Sequence, residues 1–134
     1  MKAFALVFIL QVLACLPLQA ARVVGVLLGK LSLWTGSRML NTTHANLELC
    51  FSDMNESQRR LLAKHSVEHT FMTIAEAGAL WLWAPDKALA LIRQVDGLEL
   101  MLEAYSRGKG VIVLAPHLGN WELVGLYLNA CGCG

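Results

Sequence analysis

Val111-Ile112-Val113-Leu114-Ala115-Pro116-His117-Leu118-Gly119-Asn120-Trp121-Glu122 runs from an uncharged apolar block into a proline, a histidine, a glycine and an acid. Val111, Ile112 and Val113 are β-branched, and glycine and proline bound the block. That pattern predicts a fully buried strand over 111–115. Past it, Gly119 to Ala130 can begin a helix. Before it, Leu98 to Ser106 predicts another, with Leu98, Met101, Leu102 and Tyr105 on one face and Gly108 and Gly110 ending it. A helix, a buried strand and a further helix in succession imply an α/β layer architecture.

Working back along the chain, Asn55 with Gln58 three residues later resembles a capping box. It predicts a helix from about Glu56 to Ala84, stopped by Pro85. Leu80-Trp81-Leu82-Trp83 is apolar all round and suits either a core or a membrane interface, where Trp is favoured. His65 and His69 are four apart on this helix with Glu68 between them. No His-Glu-x-x-His pattern forms, and a solvated helix face accounts for them better than a metal site.

The amino-terminal part is the most apolar. Ala3 to Ala21 carries no charge, and nineteen helical residues would span roughly 28 Å, about the hydrocarbon thickness of a bilayer. Gln11, Pro17 and Gln19 weaken the span. Two readings compete. One is a cleaved secretory signal with Lys2 as its basic region and a cut after Leu18-Gln19-Ala20. The other is an uncleaved transmembrane anchor. Arg22, Lys30 and Arg38 follow the span, and positive charge stays cytoplasmic, which favours the anchor with the bulk of the chain in the cytoplasm. Val12-Leu13-Ala14-Cys15 fits a lipoprotein cleavage box poorly at Leu13. The expected division is a transmembrane anchor over 1–21, a juxtamembrane or interfacial helix over 22–40, and a domain from 41 to 134.

Composition limits the function classes. In 134 residues, 56% are hydrophobic and 16% charged, which excludes a disordered chain. A net charge of +1 gives no basic footprint for nucleic acid. Cys15, Cys50, Cys131 and Cys133 do not form a disulfide framework, and no zinc spacing is present. Neither a metal nor another cofactor is expected. Asn41-Thr42-Thr43 and Asn55-Glu56-Ser57 are formal glycosylation sequons, without meaning in the cytoplasm.

His117 and Glu122 are the candidate chemistry. With 4 His and 10 acids, about 0.3 such spacings arise by chance, so spacing alone is weak. On that ground, a turn histidine bonded to backbone and a solvated helix-start acid is the better account. Context adds more. Five residues apart on one helix would point about 140° away from each other. In a turn followed by a helix they can cooperate, and the carboxyl end of a sheet strand is where α/β folds bind ligands. A neutral imidazole can take a proton from a hydroxyl while a carboxylate fixes its tautomer and stabilises the imidazolium. Amides at the start of the next helix can stabilise an oxyanion or a phosphate.

At these residues the chain resembles the bacterial lipid A biosynthesis acyltransferases, the lauroyl and myristoyl transferases of the wider lysophospholipid acyltransferase superfamily. Gly108-Lys109-Gly110-Val111-Ile112-Val113-Leu114 followed by His117-Leu118-Gly119-Asn120-Trp121-Glu122-Leu123 is similar to that family's core motif. Asn46-Leu47-Glu48-Leu49-Cys50-Phe51 is similar to its Asn-Leu-x-x-Cys-Phe-Pro segment, with Ser52 in place of the proline. Gly97-Leu98-Glu99 and the apolar start agree in order and spacing.

The resemblance implies a central sheet flanked by helices, an apolar acyl cavity, and basic residues for the sugar phosphates of the lipid. It implies an enzyme at the cytoplasmic face of the inner membrane of Gram-negative bacteria. Such an enzyme moves an acyl chain from acyl carrier protein to a hydroxyl of a 3-hydroxyacyl chain on a Kdo-bearing lipid A precursor. His117 would be the general base and Glu122 its charge partner. Gly119, Asn120 and Trp121 would shape the turn and meet substrate. Family members run to about twice this length, on the two-layer domain scale. The expectation is therefore an N-terminal fragment, inactive alone, whose strand lacks its partners. The rival readings are a secreted binding protein behind a signal peptide and a membrane-anchored helical module without catalysis.

Overall fold

The computed structural model describes residues 2–36 and 38–132. Among them the regular structure is entirely helical: α1 (Lys2–Cys15), α2 (Leu18–Trp34), α3 (Arg38–Cys50), α4 (Glu56–Leu82), α5 (Pro85–Leu89), α6 (Leu98–Ser106) and α7 (Glu122–Ala130). They fall into two compact units, Met1–Leu82 and Trp83–Gly134.

In the first unit α1, α2 and α3 each pack on α4. The α4 start is the capping box read from the sequence. Asn55 Oδ1 accepts from the Gln58 amide at 2.9 Å, and Gln58 Oε1 accepts from the Asn55 amide at 3.1 Å. Glu56 follows in the first turn, where the helix dipole favours an acid. The α1–α4 and α2–α4 seams are built from small residues. Ala21, Gly25 and Gly29 recur every four positions on α2 and are buried, facing α4, where Ala75, Gly78 and Ala79 are buried too. A Cβ on Gly25 would stand 2.6 Å from the Met72 Cα, and one on Gly78 2.6 Å from the Leu10 carbonyl oxygen. The backbones therefore nearly touch. Arg22 Nε donates to Glu76 Oε1 at 2.5 Å, which pairs the buried carboxylate.

Two sequence expectations are corrected here. The expected transmembrane helix is not found: among the described residues no helix is long and apolar enough to cross a membrane. The expected 1–21 span is broken at Pro17, which has no N–H for the preceding turn and disfavours helix at Leu16. Instead α1 ends at Cys15, and the Pro17 carbonyl accepts the Ala20 and Ala21 amides that open α2. At 14 residues α1 is only about 21 Å long. The second correction is the α/β fold. Residues 111–115 form no strand, and none is present among the described residues. Ile112 is 92% and Leu114 88% exposed. A strand exists only where a neighbour's N–H and C=O groups complete its ladder, and none is there to do so.

The α3–α4 corner carries a polar cluster. Glu56 pairs with Arg59, Arg60 and His44, whose Nε2 lies 3.3 Å from Glu56 Oε1. The hydrogen bond from Arg60 chiefly holds the Glu56 carboxyl below its ordinary value, against a smaller opposing effect of desolvation. A folded-state value below the unfolded one gives stability that is present above the unfolded value and is lost as pH falls through the folded one. Glu56→Gln is expected to flatten the acid limb of a plot of helix content against pH. An unchanged acid limb in circular dichroism would remove this role for Glu56.

Candidate active site

The second unit holds all five sequence-nominated residues. Its α5 packs against α7, and the Lys87 ammonium sits 3.6 Å over the Trp83 ring. The α6 bounds, Leu98–Ser106, are those the sequence pattern predicts. Beyond α6 the chain turns at Arg107–Gly108, continues without regular structure to Pro116 and then turns sharply. The Leu118 amide donates to the Pro116 carbonyl at 2.7 Å, a three-residue turn with His117 at its apex. Gly119 follows with φ +57°, a left-handed conformation costly for other residues. Asn120 and Trp121 then accept the Leu123 and Val124 amides at 3.2 and 3.0 Å, which opens α7.

This local geometry places the candidates as follows. His117 is exposed at the turn apex. Its imidazole lies against the Trp121 indole, ring centroids 4.4 Å apart and tilted by 50°, a favourable aromatic arrangement. Gly119 and Asn120 form the bends between those two rings. Glu122 is the first residue of α7 and is half-buried. The structure thus brings His117 onto Trp121 and sets Glu122 one residue beyond the indole. The sequence named Trp121 as a shaper of the turn but did not foresee its ring contact with His117. Their spacing of four residues was the available signal.

Two hollows flank α7. One, of about 370 Å³, is lined by Trp121 and Glu122 together with Val113, Ala115, Val124 and Leu128. The other, of about 420 Å³, is mainly apolar, with Val95, Met101, Val113, Leu123 and Leu128 among its walls and Tyr127 beside them. Desolvation raises the Tyr127 phenol above its ordinary value, with a hydrogen bond to Cys131 adding to it. His117 lines neither hollow and reaches the smaller one through Trp121; an imidazole can accept a proton from a hydroxyl, and apolar walls suit a hydrocarbon chain. Among the described residues, no group of three or more His, Cys, Asp or Glu is placed to hold a metal ion. Cys133 lies outside those residues, so the Cys131–Cys133 pair has no geometry to weigh.

Comparison with known proteins gives this geometry a context. The sequence profile described as bacterial lipid A biosynthesis acyltransferase matches residues 1–134. The chain is 32% identical over 115 residues to the lipid A biosynthesis lauroyltransferase of Escherichia coli (strain K12), covering 86% of this chain and 37% of that protein. It is 32% identical over 111 residues to a lipid A biosynthesis acyltransferase of Haemophilus influenzae, covering 81% of this chain and 35% of that one. Over 86 residues it is 30% identical to the lipid A biosynthesis palmitoleoyltransferase of Escherichia coli (strain K12), covering 64% of this chain and 28% of that enzyme. The matched stretch therefore spans between 28% and 37% of the length of these relatives. No solved structure matches it.

Proposed function

The chain belongs to the bacterial lipid A biosynthesis acyltransferase family, and from that premise we propose that it carries the first catalytic motif of an acyl transfer to a lipid A precursor. The donor is an acyl thioester of acyl carrier protein, and the acceptor is a hydroxyl on the precursor. His117 removes the hydroxyl proton as the oxygen attacks the thioester carbonyl. A C–O bond forms, the C–S bond breaks, and the departing thiolate takes the proton from His117. Glu122 stabilises the imidazolium formed between those events. Gly119 and Asn120 hold the turn, and Trp121 seats the imidazole and meets substrate. The reaction takes place at the cytoplasmic face of the inner membrane.

The observation that supports this reading best is the hollow of about 370 Å³ lined by Trp121 and Glu122 together with apolar side chains, because the Trp121 indole that lines it also touches the His117 ring. An acyl chain lying there would bring its carbonyl end toward the imidazole. The test is transfer of labelled acyl chains from acyl carrier protein to purified precursor by the product of the complete reading frame that contains these residues. Glu122→Gln keeps the side-chain shape and removes the charge. It is expected to lower kcat by about 10–100-fold with KM little changed, because the charge matters only once the imidazolium forms. Full activity in Glu122→Gln would remove the carboxylate from the mechanism.

A further inference from the structure

Trp121 belongs to two parts of the candidate site at once. Its side chain helps to line the hollow of about 370 Å³ beside α7. Its ring also meets the His117 imidazole at a centroid distance of 4.4 Å. Whatever fills that hollow therefore reaches His117 by way of the indole.

The two rings are held unequally. Trp121 stands at the amino-terminal end of α7 with helical φ and ψ of −58° and −19°, and its carbonyl accepts the Val124 amide at 3.0 Å. The helix fixes its backbone. His117 is exposed at the apex of the turn closed by the Leu118 amide on the Pro116 carbonyl. Three staggered wells at χ1 and two ring orientations at χ2 give such an imidazole about six orientations. With no preference among them, it occupies the productive one for about a sixth of the time. An aromatic pair biases one orientation by roughly two- to ten-fold, which raises that share to about 0.3–0.7. The hold is partial. A hydrocarbon chain packed against the indole limits its motion and brings the share toward one, because a ligand favours the state it contacts best.

We propose, on the reading given above, that Trp121 is a positioning residue which makes the placement of His117 depend on an acyl chain lying in the hollow beside α7. A long chain fills the space between Trp121, Val113, Val124 and Leu128 and presses the indole into place. The indole then holds the imidazole. A short chain leaves the hollow partly empty and the imidazole free to turn. Chain length is thereby read in kcat, since binding energy from the remote end of the substrate is spent on orienting the base.

Kinetics on the product of the complete reading frame test this, with dodecanoyl- and butanoyl-acyl carrier protein as donors. Trp121→Leu keeps an apolar wall and removes the ring. With the dodecanoyl donor it is expected to lower kcat by about three- to six-fold with KM little changed, and to lower the dodecanoyl-to-butanoyl ratio of kcat by at least about two-fold. Trp121→Phe keeps a ring and should stay within about two-fold of wild type. Nuclear magnetic resonance supplies a readout apart from turnover. The His117 ring signals, identified by their loss in His117→Ala, should be displaced by the indole ring current. They should move further with S-dodecyl pantetheine, which has no carbonyl to transfer, and not with S-ethyl pantetheine. Wild-type kinetics in Trp121→Leu at both chain lengths, or equal losses in the Leu and Phe variants, would overturn the proposal while leaving the role of His117 intact. If Trp121→Leu loses helix content, an equal response of the wild-type signals to the two pantetheines overturns it. No transfer by the wild type, with the signals still moving on S-dodecyl pantetheine, sinks the catalytic reading and leaves the coupling of hollow to imidazole.

Discussion

His117→Ala is expected to lower acyl transfer by at least about 100-fold, the low end for loss of a general base. The fall should lie in kcat, since the imidazole acts on the hydroxyl proton and contributes little to holding either substrate. His117 sits on an exposed turn, so removing its side chain leaves α6 and α7 in place. Far-ultraviolet circular dichroism should therefore be unchanged. A variant that keeps a tenth or more of wild-type kcat shows that His117 is not the base.

The second large effect is structural. Gly25→Leu is expected to destabilise the first unit by about 1–3 kcal/mol, the usual cost of overpacking a tight contact. Two effects oppose each other at this position. Glycine in a helix interior costs about 1 kcal/mol relative to alanine, so almost any replacement gains helix propensity. Against that, a Cβ at residue 25 meets the Met72 Cα at 2.6 Å and the Phe71 carbonyl oxygen at 2.7 Å. Those are backbone atoms of α4 and cannot rotate away, so the clash outweighs the propensity. Gly125 on α7 isolates the opposing effect. A Cβ there meets nothing within 4 Å, and Gly125→Ala should raise stability by up to about 1 kcal/mol. Thermal unfolding of the two variants should move the midpoint in opposite directions. A rise for Gly25→Leu would show that the α2–α4 seam is loose.

The elements legible in the sequence were those set by neighbours along the chain. The Asn55–Gln58 box, the α6 bounds and the turn at Pro116–Gly119 depend on groups two to four residues apart, and local chemistry suffices for them. Residues 111–115 were misread for the complementary reason. Their β-branched run states a preference for a sheet, but a strand is made by its partners, and the described residues supply none. The apolar start was misread because hydropathy was counted across Pro17, where helix geometry stops. Neither the Arg22–Glu76 pair, 54 residues apart, nor the close approach of Gly25 to Met72 has a local signal. At the candidate site the residues themselves were legible as a motif. Their arrangement was not, because the ring contact of His117 with Trp121 depends on how the turn closes.

The most direct test of the central claim is the mass of lipid A. The complete reading frame that contains this sequence, in wild-type and His117→Ala form, is expressed in a bacterium whose lipid A lacks one secondary acyl chain, and the extracted lipid A is weighed by mass spectrometry. The wild type should restore a species heavier by one fatty acyl group, and His117→Ala should leave the lighter species dominant. Equal restoration by both forms, or by neither when both are present in the membrane fraction, contradicts the assignment of acyl transfer to this motif.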